Sequence, residues 1–197
     1  MPFSETEKTT LLVTARNAIL SGIDHGLPAA GRPSELPASL CALHATFVTL
    51  KSGPALRGCI GTLDARSGLL DSVAENAYAA AFRDPRFTAL TRAELDRLSI
   101  EISVLDTPRV VSCASEAELL AAMARDKAGW IVREHDRQAT FLPSVWPSFE
   151  EPADFLAALR QKAGLGTDYW SDSMVFSRYA TTVFAAAFVD IPPRHPR

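Results

Sequence analysis

The run Leu56-Arg57-Gly58-Cys59-Ile60-Gly61 constrains the fold more than any other stretch, because it asks one β-strand to carry two glycines. Side chains alternate along a strand, so Leu56, Gly58 and Ile60 are expected on a buried face and Arg57, Cys59 and Gly61 on the other. Glycine weakens a strand interior and is kept there where backbone, a bulge or a ligand comes close. The same run sets a thiol beside a guanidinium. A neighbouring cation favours thiolate over thiol, so Arg57 on the Cys59 face would make that cysteine reactive or part of an anion-anchoring pair. The alternative is a small buried hydrophobe, the usual role of a free cysteine.

Flanking patterns place this strand in a mixed architecture. Ser4 and Glu7 have capping-box spacing, and Leu11, Leu12, Ala15, Ala18 and Ile19 recur at helical intervals until Gly22 offers a stop. Pro28, Pro33 and Pro37 make Asp24 to Ser39 a surface flap. The β-formers of ATFVTLK turn through Ser52-Gly53 into the glycine-bearing strand, a hairpin from Ala45 to Leu63. Ser67 is placed to cap a helix bearing Leu70, Val73, Ala74, Ala77 and Ala81, and Asp84-Pro85-Arg86-Phe87 forces a turn. Thr91 with Glu94 forms a further capping box, and Ile100, Ile102 and Val104 alternate as a half-buried strand. Ser115 with Glu118 opens another helix, WIVRE and ATFLP flank a polar turn, and Asp154 is expected to cap a helix closed at Gly164. MVFSRYATTVFAAAFV reads mainly as strand, and residues 190–197 as a disordered tail.

The run FVTLKSGPALRGCIGTLDARSGLLDSVAENAYAAAFRDPRF, with its LRGCIG signature, resembles the AMMECR-domain family, known in prokaryotes as AmmeMemoRadiSam system protein A. ALTRAELDRLSIEISVL, GWIVREHDRQATFLPSVW and DFLAALRQKAGL match in order, so the resemblance covers about residues 6–189. It implies an α+β fold with a larger and a smaller lobe, a cleft between them beside the signature strand, and no assigned reaction. With the patterns above, the expectation is mostly antiparallel sheet with flanking helices. The family's name implies a Memo-type protein and a radical S-adenosylmethionine enzyme as partners.

At 197 residues the chain is expected to form a single AMMECR-type domain, 1–197. No apolar run approaches the roughly 20 residues needed to cross a bilayer, and MPFSETEKTT lacks the apolar stretch of a secretion signal. No membrane association and a cytoplasmic location are therefore expected. The formal charge of −3 gives no overall attraction for phosphate backbones, which argues against nucleic acid. Cys41, Cys59 and Cys113 form no CxxC pair, and His25, His44, His135 and His195 show no metal-ligand spacing, so reduced thiols and no metal or other cofactor are expected. Walker, GxSxG and GxGxxG motifs are absent.

The polar residues of the matched segments define the candidate site. Cys59 is the candidate nucleophile or thiol ligand and Arg57 the anion anchor, with Gly58, Gly61, Asn76, Arg86 and Glu101 as ligand-binding candidates and Asp84 nearby in sequence. Each has a structural alternative. Arg57 and Glu101 would form an ion pair across neighbouring strands, Asp84 and Arg86 would fix a turn, Asn76 would satisfy backbone groups, and Trp130 and Trp146 would fill the core. Two functions follow: a cleft protein binding a small molecule or peptide terminus, or a non-catalytic adaptor for the Memo-type and radical enzyme partners. Nucleic-acid binding stands third. A thiolate without a visible general base leaves enzyme status open.

Overall fold

The computed structural model describes residues 3–28 and 36–194, and the chain divides into two compact units, Met1–Val104 with Thr182–Arg197, and Leu105–Thr181. Both combine helices with antiparallel strand pairs, an α+β fold. No helix among the described residues is long and apolar enough to cross a membrane.

In the first unit, helix α1 (Glu5–His25) opens with the Ser4/Glu7 capping box: Glu7 N–H donates to Ser4 Oγ at 3.2 Å and Ser4 N–H to Glu7 Oε2 at 2.7 Å. It runs past Gly22, the expected stop, and ends at Gly26 in the left-handed region (φ 72°). Gly22 serves packing instead: a Cβ there would collide with the ring of Phe82, the last residue of a facing helix. Both ends of the expected flap are helical, since Asp24 and His25 finish α1 and a short helix α2 (Ala38–Cys41) takes its other end; residues 29–35 lie outside the described residues.

Strands β1 (Thr46–Ser52) and β2 (Ala55–Gly61) form the expected hairpin, turning at Gly53 with φ 58°. Helix α3 (Leu69–Phe82) starts after Gly68, without a side-chain cap from Ser67. A 3-10 turn over Arg92–Arg97, opened by the Thr91/Glu94 box, leads into β3 (Leu98–Leu105). Strand order in this sheet is β2, β1, β3 and the last strand of the chain, which covers Thr181–Ala187. Val48 and Leu50 of β1 and Ile100 and Ile102 of β3 are fully buried in one cluster with Leu11, Ile19, Val73 and Ala77 of α1 and α3. The tail contradicts the disorder expected from residue 190, because Ile191, 3% exposed, inserts into this cluster; residues 195–197 lie outside the described residues.

Strict alternation fails in β2. Leu50 lies opposite Gly58 but Lys51 lies opposite Leu56, so Arg57 is an extra residue, a β-bulge. The bulge turns Leu56 away from the face of Gly58 and Ile60. Leu56 is 43% exposed, which corrects its assignment to the buried face.

The second unit contains β4 (Arg109–Val111), α4 (Glu116–Arg125), β5 (Gly129–Glu134), β6 (Arg137–Phe141), α5 (Pro152–Lys162) and β7 (Val175–Tyr179), with antiparallel strands in the order β4, β7, β5, β6. Trp130 and Trp146 are core residues here, Trp146 stacking on Phe155 with centroids 3.8 Å apart and donating Nε1–H to Ala128 O at 2.8 Å. Helix α5 has Glu151 at its N-cap position without a side-chain capping bond and Pro152 in its first turn, so Asp154 sits inside the helix, and Gly164 (φ 74°) follows its end. The run MVFSRYATTVFAAAFV splits at Ala180: β7 joins this sheet, and the next strand, β8 (Thr181–Ala187), joins the other.

Candidate functional site at the β2 edge

β2 ends its sheet, so among the described residues one side of its backbone has no strand neighbour. Asp84 and Arg86, just beyond α3, occupy that side. Cys59 N–H donates to Asp84 Oδ2 at 2.9 Å, and Arg86 Nη2 donates to Cys59 O at 3.4 Å. Arg86 is itself gripped by Asp84, donating Nε–H to Oδ1 at 2.9 Å and Nη2–H to Oδ2 at 2.7 Å, while Arg86 N–H also donates to Oδ1 at 3.1 Å. A carboxylate and a guanidinium thus stand where a strand would supply an acceptor and a donor. Asp84's side chain is 2% exposed and Arg86's 54%. Hydrogen bonding from Arg86 is the largest cause holding the Asp84 carboxyl far below its ordinary value, with burial opposing it. The same bond raises Arg86, to which the nearby Cys59 sulfur also contributes.

The Cys59 side chain lies on the sheet face away from α3. Thr49 Oγ1 donates to Cys59 Sγ at 3.2 Å, and Thr49 is paired in register with both Cys59 and Glu101. Thiol, hydroxyl and carboxylate therefore form one row across three strands. Lys51 Nζ donates to Glu101 Oε2 at 2.8 Å at its end. Glu101's partner is thus Lys51, and the expected Arg57–Glu101 pair does not form.

Arg57 is re-aimed by the bulge. Its Nε–H donates to Glu94 Oε1 at 2.6 Å and its Nη2–H to Thr88 O at 2.9 Å, and its side chain is 12% exposed. Glu94 also accepts from Thr91 N–H and Oγ1 as the capping-box glutamate. Arg57's hydrogen bond is the main cause that brings the Glu94 carboxyl down to about 2.

The glycines answer to packing. A Cβ on Gly58 would strike the carbonyl of Ala80 in α3, and one on Gly61 would strike the Phe47 ring. Asn76 is buried on the helix side of the sheet, donating Nδ2–H to Thr46 Oγ1 at 2.8 Å and Thr46 O at 3.1 Å, the backbone-satisfying alternative. The structure therefore gathers Cys59, Arg86 and Asp84 at one strand edge and sets Glu101 in the same row as Cys59, while Asn76 lies behind the sheet. Thr49 and Lys51 were missed by sequence reasoning. Period-two counting along β1 puts them on the face opposite Val48 and Leu50, and that signal was available. Glu94 was legible only as a cap.

The AMMECR1 family model matches residues 12–184, nearly the whole of both units. This chain belongs to the AMMECR1 family. Among its family relatives, a protein of Methanosarcina acetivorans is 35% identical over 173 residues, covering 85% of each chain. One of Methanothermobacter thermautotrophicus is 34% identical over 172 residues, covering 87% of this chain and 89% of its own. The crystal structure of the uncharacterised protein PH0010 from Pyrococcus horikoshii is similar with a TM-score of 0.76, at 28% identity over 89% of both chains. Within this AMMECR1 member, the LRGCIG signature is a bulged edge strand whose glycines admit a helix and a ring and whose cysteine is fastened through its backbone.

Proposed function

We propose that the first unit binds a small molecule or peptide terminus on the sheet face that bears Cys59, with the thiol as ligand contact or nucleophile. The observation that carries this reading is the row Cys59, Thr49, Glu101: three different polar groups on neighbouring strands, fixed by register and flanked by Lys51. Such convergence of a few polar groups on a rigid sheet is what orients a small ligand. Arg86 takes over the anion-anchoring role expected of Arg57. It stands half in solvent beside Cys59 on a buried carboxylate, whereas Arg57 is spent on Glu94 and Thr88.

The test is mass spectrometry of small molecules retained by the native protein, compared with Cys59→Ala and Glu101→Gln variants, alongside peptide-resolved iodoacetamide labelling of Cys41, Cys59 and Cys113. The expected result is a molecule lost in both variants and labelling of Cys59 that the molecule blocks. Retention unchanged in both variants would overturn the reading. It would favour the adaptor for Memo-type and radical S-adenosylmethionine partners that the family resemblance implies.

A further inference from the structure

The opposite case to the closed β2 edge lies in the second unit. β4 ends the sheet β4, β7, β5, β6 and is only three residues long. Val110, at its centre, is 70% exposed. Two surface hollows adjoin it and share Val110 and Val111. One, of about 530 Å³, lies toward the end of α4 and is lined by Arg109, Arg125, Arg178 and Asp126 among others. The second, of about 300 Å³, lies beyond Val111 and is lined by Cys113, Trp170, Met174 and Phe176, with Asp172 as its charged residue.

Charge distinguishes the first hollow. Arg109 and Arg178 are directly opposite in the β4–β7 register, an arrangement of like charges that destabilises a strand pair. Asp126 accepts from Arg178 at 2.8 Å, while Arg125 donates to the backbone Ala121 O, so the hollow is lined by three guanidinium groups and one carboxylate, which Arg178 engages. This happens in a chain whose overall charge is −3. An anionic group placed there would relieve the repulsion.

We propose that the outer edge of β4 docks an extended peptide segment of a partner protein, acidic toward one end and apolar toward the other. The backbone of such a segment adds a strand beside β4, its acidic side chains meet Arg109, Arg125 and Arg178, and its apolar side chains enter the hollow of Trp170 and Met174. A six-residue extended segment spans roughly 20 Å, enough to run from one hollow past a three-residue strand into the other. A phosphate backbone would satisfy the arginines but would leave the strand edge and the apolar hollow unused.

Anisotropy of fluorescein-labelled octapeptides tests this on the intact chain, with four alternating Asp and Glu residues joined to Val-Thr-Val-Phe in either order. One order is expected to bind, with hydrogen-exchange protection confined to Arg109 to Ala114. Affinity should fall at least tenfold when the peptide is N-methylated at alternate residues, and likewise with the double variant Arg109→Glu, Arg125→Glu, whose positions are exposed and whose fold circular dichroism can verify. Failure of both orders to bind, equal binding of a peptide with Lys in place of the acids, or indifference to N-methylation would overturn the proposal. Tighter binding of a twelve-residue oligouridylate at the same arginines would replace the peptide with a nucleic acid.

Discussion

The outer edges of β2 and β4 pose the same physical problem and are handled in opposite ways. Each is the last strand of a four-stranded sheet and, among the described residues, leaves one side of its backbone without a strand partner. At β2 the chain closes the edge internally, with Asp84 and Arg86 bonded to each other and to Cys59. At β4, Arg109 and Arg178 face one another across the pair, and Asp126 pairs with Arg178. Arg86 at one edge is bonded to a buried carboxylate and to the strand, whereas Arg109 at the other lies opposite a like charge.

The largest effect is expected from Arg86→Ala. It leaves the Asp84 carboxylate, 2% exposed, without its counter-charge, and should cost about 3 kcal/mol of unfolding free energy in denaturant melts. Arg109→Ala should stay within about 0.5 kcal/mol. Equal losses would erase the distinction between the edges.

Acid should act on the first unit through the same residues. Asp84 and Glu94 both hold their carboxyls below ordinary values of 3.8 and 4.5, so the unfolded chain binds protons that the folded chain refuses. Their stabilisation is complete above about pH 5 and is lost as pH falls through 4.5 toward 2, where Glu94 protonates in the folded state. Melts between pH 7 and 2.5 followed by far-ultraviolet circular dichroism should show the decline. Tryptophan fluorescence reports separately on the second unit, which holds all three tryptophans. An Arg57→Ala protein, with Glu94 freed toward its ordinary value, should lose part of the slope.

Gly58→Ala should cost about 1 to 3 kcal/mol, because the methyl meets helix backbone that cannot swing aside. A neutral result would mean that α3 shifts to admit it. The smallest effect belongs to Leu56→Ala, expected to be under about 1 kcal/mol because the side chain is 43% exposed; a loss of several would restore strict alternation and remove the bulge.

Local rules carried much of the fold. The Ser4/Glu7 and Thr91/Glu94 boxes, the Gly53 turn and the burial of Ile100, Ile102 and Val104 need only residues a few positions apart, and each stands where the spacing puts it, although Ser103 on the other face of β3 is buried as well. The misses are contacts across the chain. Gly22 resembles a stop until Phe82 lies against it, and Ile191 resembles a tail until it is seen buried. Nothing local in MVFSRYATTVFAAAFV says that Ala180 parts two sheets. At the candidate site, the Cys59 backbone clamp was legible as a turn alone, and the partner of Arg57 was hidden because Glu94 already had a capping role. The bulge was invisible because its signal is a mismatch between two strands.

Hairpins search many alignments before they settle, and a strand shifted by one residue presents every side chain to the wrong side. The close approach of α3 at Gly58 limits which alignments fit. A shift by one would bring Cys59 or Arg57 beneath the Ala80 carbonyl, where there is no room for a Cβ, so α3 could close over only one alignment. In this view LRGCIG selects a strand alignment as well as shaping a surface.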